Sequence, residues 1–507
     1  MRKTITPSDM KRIEQEIIEK AGLNPLLLME HAAIHLIAAV RRHMAGRKGR
    51  VLFLCGPGNN GGDGLAAARL WRMEGGSAIV WQLTSRMTGS AGQNLQWLKK
   101  LWPDVPLLRL SDAAEKLPPI PQDAAVIVDA LFGTGLNHPL QGVSFTLAQR
   151  VNESGLPVIA ADIPSGIHGM TGQVMGEAFR AAETVTFHRP KQGLYLGRGP
   201  EYAGSVTVAD IGLPPLLDSA EGMEVLLPND LPSLLPPRRR DTHKGDYGRV
   251  LIVAGSFGMA GAAGICAQAA LKTGAGLVTM ACPETIVPIV QSLAPCATCI
   301  PLPMNGEDMQ PQAESLVQEA ALRADAVAVG PGLSVRPDRM MLLQAVQKAG
   351  KPTVWDADAL NLMALSGDLS PMEGVHVYTP HPGEAARLLQ LSVGEITADT
   401  LDAIRVLWEK LGGVVLLKGA STPIWDGETM ALNVTGTPAL AKGGSGDALT
   451  GIIAALLAQR RQLGLTPIKT VQLGCCLHGH AALMAAGITG ERGLTAADLI
   501  AFLGKNE

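Results

Sequence analysis

Ala441-Lys442-Gly443-Gly444-Ser445-Gly446-Asp447-Ala448-Leu449-Thr450-Gly451 leads into a run, Leu449 to Leu457, that is almost wholly apolar or small. The run reads as a buried helix, which makes residues 443–446 its N-terminal turn. The first N–H groups of a helix have no partner inside it, and the aligned peptide dipoles leave that end positive. Glycine lets a phosphate approach the main chain there. Asp447 falls in the first turn, where a carboxylate repels an anion unless it binds a metal or takes a proton from an attacking hydroxyl. An aspartate near a helix start also serves as a plain cap, and the stretch alone leaves both readings open.

Upstream of this helix, short apolar runs end repeatedly in polar or glycine-rich turns. Residues 250–254 lead into Gly255-Ser256-Phe257-Gly258-Met259-Ala260-Gly261, and residues 326–329 into Gly330-Pro331-Gly332. Residues 353–355 lead into Asp356-Ala357-Asp358, residues 376–378 into Thr379-Pro380-His381-Pro382-Gly383-Glu384, and residues 414–417 into Lys418-Gly419-Ala420. Strands alternating with helices predict a parallel sheet, and ligands of such sheets bind beyond the carboxyl ends of the strands. The first half has the same pattern. Residues 51–55 run into Gly56-Pro57-Gly58-Asn59-Asn60-Gly61-Gly62-Asp63-Gly64, residues 125–128 into Asp129-Ala130-Leu131-Phe132-Gly133-Thr134-Gly135, and residues 158–160 into Asp162-Ile163-Pro164-Ser165-Gly166. The fold class expected is α/β, with two sheets and a crevice on each.

Between Leu213 and His243 the pattern breaks at Pro214, Pro215, Pro228, Pro232, Pro236 and Pro237, and Arg238-Arg239-Arg240 follows as a solvated basic run. The expected division is residues 1–215, a connection over 216–240, and residues 241–507. A length of 507 residues suits two to four domains at ~150 residues each. With 43 Lys and Arg against 46 Asp and Glu, the net charge of -3 offers neither nucleic acid nor an anionic membrane an electrostatic partner, so small ligands are expected.

The N-terminus carries an amphipathic helical pattern, Met10, Ile13 and Ile17 behind Thr6-Pro7-Ser8-Asp9, and not a signal peptide. Apolar runs such as residues 451–458 fall short of the ~20 residues that span a bilayer, so a soluble, cytoplasmic protein is expected. Seven scattered cysteines favour free thiols. Cys296 and Cys299 form a lone CxxC between prolines, without the second pair or nearby histidines of a zinc site. His478-Gly479-His480 points its rings to different sides of a helix and reads as structural.

Together, the polar turns of the first half resemble the N-terminal domain of the bifunctional NAD(P)H-hydrate repair enzymes, an epimerase with a Rossmann-like three-layer fold. The resemblance covers about residues 1–215. It implies a potassium site on Asn60, Asp129 and Ser165. The hydrated nicotinamide nucleotide would lie against Asn59, Asn60, Gly61, Gly62 and Asp63 and against Gly133, Thr134, Gly135, Leu136, Asn137, His138 and Pro139. Asp162 would stand at its reactive end, with Asp162 or Asp129 moving the proton. Epimerising a hydroxyl-bearing carbon beside nitrogen asks for proton transfer and an electrostatic bed rather than a hydride acceptor.

The second half resembles the partner domain of that family, an ADP-dependent dehydratase with a ribokinase-like α/β/α fold, over about residues 225–505. His243-Lys244-Gly245-Asp246, Trp355-Asp356-Ala357-Asp358-Ala359-Leu360-Asn361, residues 379–384 and the glycine turn stand in the family's order. The resemblance implies that Asp447 is the base and that Gly443, Gly444, Ser445 and Gly446 hold phosphate. It further implies that Lys418, Gly419, Ala420, Ser421 and Thr422 bind the adenine nucleotide. Gly261, Gly332, His381, Pro382, Gly383, Glu384, Ala385, Ala386 and Arg387 would meet the hydrate. Mg2+ is expected with the phosphates, and ADP is expected as co-substrate on the resemblance alone. The expected partners are NADHX, NADPHX and further copies of the chain, with no nucleic acid and no membrane.

Three other readings remain. A kinase of a small alcohol shares the second fold, a non-catalytic regulatory module could occupy the first, and an NAD-dependent dehydrogenase is weakened by the absent GxGxxG. The Asp356-Ala357-Asp358 pair could hold a metal or cap a helix, and His381 could bind a ligand or fix a turn.

Overall fold

The computed structural model describes residues 2–84, 86–110, 117–214 and 222–505. It divides into two compact units, Arg2–Met223 and Glu224–Glu507. Pro215 and residues 216–221 of the expected connection lie outside the described residues.

In the first unit, seven parallel strands stand in the order Leu107–Arg109, Ala78–Gln82, Arg50–Cys55, Ala124–Ala130, Val158–Ala161, Glu183–Phe187 and Ser205–Ala209. Their central members are continuous apolar runs because both faces are covered. Val51, Phe53 and Cys55 pack with Ile13 and Leu36 on one side, while Leu52 and Leu54 meet Leu147 and Val151 on the other. The chain moves outward from Arg50–Cys55 in one direction and returns on its other flank at Ala124–Ala130. That reversal opens a crevice at the ends of these two strands. The expected N-terminal helix spans Pro7–Ala21, with Thr6 accepting the Asp9 N–H and Met10, Ile13 and Ile17 buried.

The second sheet runs in the order Glu224–Val225, Met430–Asn433, Thr422–Trp425, Val414–Leu416, His376–Tyr378, Thr353–Trp355, Ala326–Val329, Arg249–Val253, Leu277–Pro283 and Thr298–Leu302. Thr422–Trp425 pairs antiparallel with both its neighbours, and the other pairings are parallel. The reversal here lies between Arg249–Val253 and Ala326–Val329. Residues 224–240, expected within the connection, belong to this unit: Glu224–Val225 extends the sheet, and Leu226 and Leu231 are buried with Leu456 and Leu473.

The helix read from the opening stretch spans Ser445–Leu463 and is buried along most of its length. Beside it, Pro467–Thr489 is long and apolar enough to cross a bilayer by length and composition, against the expectation that no such segment exists. Its polar interruptions, Thr470, Gln472, His478 and His480, had broken the apolar run in the sequence. With 61% of its most apolar window buried, it is a core helix, packed on Ser445–Leu463 through Leu473, Cys476 and Leu477.

Candidate functional site

In the first unit, Asp129 ends the strand Ala124–Ala130 and is fully buried. Its carboxylate accepts the Ser165 N–H at 2.8 Å and the Ser165 hydroxyl at 2.7 Å, with the Leu131 N–H at 3.2 Å. Burial raises its pKa to about 6, against the lowering effect of those three hydrogen bonds. Ser165 also accepts the Phe132 N–H at 2.9 Å, so the turns after two strands are tied together. Asn60 starts the helix Asn59–Met73 beside Gly133: a Cβ built on Gly133 would lie 3.6 Å from Asn60 Oδ1. The Asn60 Nδ2 is buried without a hydrogen-bond partner. Of the predicted residues, Gly61, Gly62 and Asp63 are buried, whereas Asn59, Gly135, Asn137, His138 and Pro139 are exposed around them.

Asp162 follows Val158–Ala161 with φ +68°, a left-handed conformation in which a side chain is strained. Its Oδ1 accepts the Phe187 N–H at 3.1 Å and the Thr186 hydroxyl at 3.3 Å, and forms an ion pair with Lys191 Nζ. Lys191 is fully buried and also donates to the Phe187 carbonyl at 2.8 Å. Glu14, on Pro7–Ala21, faces the same group. Burial, then the charge of Asp162, raises its pKa to about 6, while Lys191 lowers it. Sequence reasoning missed Lys191 and Glu14. Glu14 sits within a helix and Lys191 four residues past the strand Glu183–Phe187, and nothing in their local sequence distinguishes them from surface charges.

In the second unit, the glycine turn stands as expected. Gly444, with φ +92°, caps Ser445–Leu463 and offers no side-chain hydrogen bond. Asp447 is therefore not a cap. It lies in the first helical turn, and burial together with Asp356 raises its pKa to about 6, partly offset by Lys418. Lys418 pairs with Asp356 at 2.7 Å and with Glu384 at 3.7 Å. A Cβ built on Gly446 would come within 3.5 Å of Lys418 Nζ, so the ammonium lies against the turn.

Asp356 accepts from Lys418, from the Thr379 hydroxyl at 2.7 Å and from the Thr450 hydroxyl at 2.6 Å. Its pKa is lowered despite burial, chiefly by Lys418. It ties three segments of the site together. Asp358 accepts the Ser334 N–H at 2.8 Å and the Asn361 amide at 3.4 Å, and Asn361 in turn accepts from Arg387 at 2.8 Å. His381 caps Pro382–Leu389: its Nδ1 accepts the Gly383 and Glu384 N–H groups at 2.9 and 3.3 Å, and Glu384 accepts the His381 N–H. The turn-fixing reading of His381 therefore holds for Nδ1.

Ala385 and Ala386 are buried, so that turn can present His381, Pro382, Gly383 and Arg387 to a ligand. Thr422 bonds its own turn at Gly419, which leaves Gly419, Ala420 and Ser421 open to the outside. Gly332 packs against Met259, and Ser256 donates to the Gly332 carbonyl at 2.9 Å, which joins the two turns at the reversal. Gly261 faces open space. His478 is buried with its pKa lowered to about 4 by burial, and its Nε2 meets the Ser445 carbonyl at 3.0 Å, a structural role directly beneath the turn. Cys296 and Cys299 are free thiols, and among the described residues no group of three or more His, Cys, Asp or Glu side chains is placed to hold a metal.

The NAD(P)H-hydrate dehydratase family matches residues 250–504, and the YjeF-related protein N-terminus matches residues 26–193. A bifunctional NAD(P)H-hydrate repair enzyme from Thermofilum pendens is 38% identical over 98% of this chain and 95% of its own length. One from Coxiella burnetii is 40% identical over 89% of this chain and 88% of its own. The ADP/ATP-dependent NAD(P)H-hydrate dehydratase of Bacillus subtilis, crystallised with ATP/Mg2+, superposes with a TM-score of 0.50 at 29% identity, covering 57% of this chain and 98% of its own. The folds are those expected, Rossmann-like in the first unit and ribokinase-like in the second. The chain belongs to the family of bifunctional NAD(P)H-hydrate repair enzymes.

Proposed function

We propose that the first unit interconverts the R and S hydrates of NAD(P)H and that the second converts the S hydrate to NAD(P)H, consuming ADP and releasing AMP and phosphate. The observation that carries the dehydratase half is Asp447: a carboxylate in the first turn of a glycine-capped helix, engaged in no capping bond and raised to about 6. It takes the proton of the ring hydroxyl. That oxygen attacks the terminal phosphoryl group of the nucleotide while the main chain of residues 443–446 holds the developing charge. Departure of phosphate and loss of a proton from the neighbouring ring carbon regenerate the reduced ring. Residues 419–421 supply a nucleotide contact, and Gly261, Gly332, His381 and Arg387 face the hydrate.

Mg2+ would arrive on the nucleotide phosphates, which is how this ion usually binds in phosphoryl transfer. Among the described residues no group of three or more His, Cys, Asp or Glu side chains is placed to form a separate magnesium cradle. In the first unit, Asn60, Asp129 and Ser165 would hold potassium. The buried, unpartnered Asn60 amide supports this, since a half-turn of the amide presents oxygen at the same place. The ion would supply fixed positive charge within the crevice. Asp162, whose donors among the described residues gather on Oδ1, would stand at the reactive end.

Replacing Asp447 by Asn is expected to slow dehydration by about 100-fold to 10,000-fold, the usual worth of a positioned base, with epimer interconversion intact. Unchanged dehydration would remove Asp447 from the mechanism.

A further inference from the structure

We propose that Asp63 carries the proton in the epimerisation, that Glu14 is a positioning residue keeping Asp63 supplied with it, and that the Asp162–Lys191 pair is the fixed charge opposite. This rests on the epimerase reading of the first unit and names the residues that perform it. Asp63 lies in the first turns of Asn59–Met73, at the crevice where strand order reverses, and is only 8% exposed. Burial and the charges of Asp162 and Glu14 push its pKa well above the ordinary carboxylate value, Lys191 opposes them, and no hydrogen bond offsets them. A buried carboxyl without donors rests as the neutral acid.

Asp162 is built the opposite way. Three donors converge on its Oδ1, one of them a fully buried ammonium, and such an ammonium requires a counter-charge. The site therefore holds one buried carboxyl that accepts no hydrogen bond among the described residues and one carboxylate paired with a buried ammonium. Pairs of carboxyl groups in divergent environments mark an acid and an electrostatic stabiliser. Glu14, itself raised to about 6 and reached from Pro7–Ala21, adds a negative neighbour that favours the protonated form of Asp63.

The step balances without an oxidant. Asp63 gives its proton to the ring hydroxyl, the carbon–oxygen bond breaks, and water leaves. The adjacent ring nitrogen supplies the electron pair of a carbon–nitrogen double bond, and the resulting cation faces Asp162 Oδ2. Water adds from the other face and loses a proton to solvent, and Asp63 takes a proton back from solvent, so the sum is water out and water in.

The test uses the full chain with one epimer of NADH hydrate and no ADP, so that the second unit cannot drain the product. Wild-type protein that leaves the epimers unmixed would overturn the epimerase reading itself. Given wild-type activity, Asp63→Asn is expected to lower kcat by ~100-fold or more with KM within about twofold. A raised KM with kcat kept would make Asp63 a binding group only and overturn the assignment. Glu14→Gln is expected to shift the alkaline limb of the pH profile to lower pH, and an unmoved limb overturns its role. In heavy-oxygen water, each interconversion should exchange the ring hydroxyl oxygen, and interconversion without exchange overturns the bond-breaking step.

Discussion

In the proposed mechanism Asp447 serves as a base only when deprotonated, and its pKa of about 6 lies well above the ordinary 3.8. The sign follows directly: with the base lost by protonation, dehydration should fall about tenfold per pH unit below about 6. A steady rate down to pH 4 would contradict the burial argument. Asp129 makes a second residue-scale test. Because it ties Ser165 and Phe132 into one turn, Asp129→Ala should abolish epimer interconversion while dehydration of the S hydrate, performed by the other unit, continues; retained interconversion would refute it. Both aspartates were legible from sequence, since each falls in a polar turn at a strand or helix end. Lys191 and Glu14 were not. Their meaning comes only from sharing a buried space with Asp162 after distant segments fold together.

The element that shapes the second site is the helix Ser445–Leu463. Its apolar length, its glycine start and its first-turn carboxylate were all readable, because each is a local property. Its neighbours were not. Gly451, read as one small residue in an apolar run, lies against the Cys266 carbonyl of Ala260–Lys272, where any Cβ would collide. Gly451→Ala is therefore expected to destabilise the unit by about 1–3 kcal/mol through overpacking, visible as a lower denaturant midpoint. An unchanged midpoint would show that the two helices can part without cost. Pro467–Thr489 is the converse lesson. Polar residues hid a long core helix from a search for unbroken apolar runs, and its His478 supports the turn through the Ser445 carbonyl.

At the scale of the whole molecule, the chain repeats one device twice. Each sheet reverses its strand order once, and each reversal gathers turns from segments far apart in sequence. The strand-end pattern of the sequence already carries this logic. The sheet edges escaped it, because Glu224–Val225 lies in a proline-rich stretch that resembles a connection and is set by its pairing with Met430–Asn433. The two chemistries predict a coupled behaviour that neither unit gives alone: dehydration accepts the S hydrate, and epimerisation turns the R form into S for it.

The most direct test supplies each purified epimer of NADH hydrate with ADP and follows the absorbance of reduced nicotinamide and the release of phosphate. The account predicts complete conversion of both epimers to NADH with one phosphate per molecule, the R epimer through the S form. A stable phosphorylated product without NADH would contradict it and identify the second unit as a kinase.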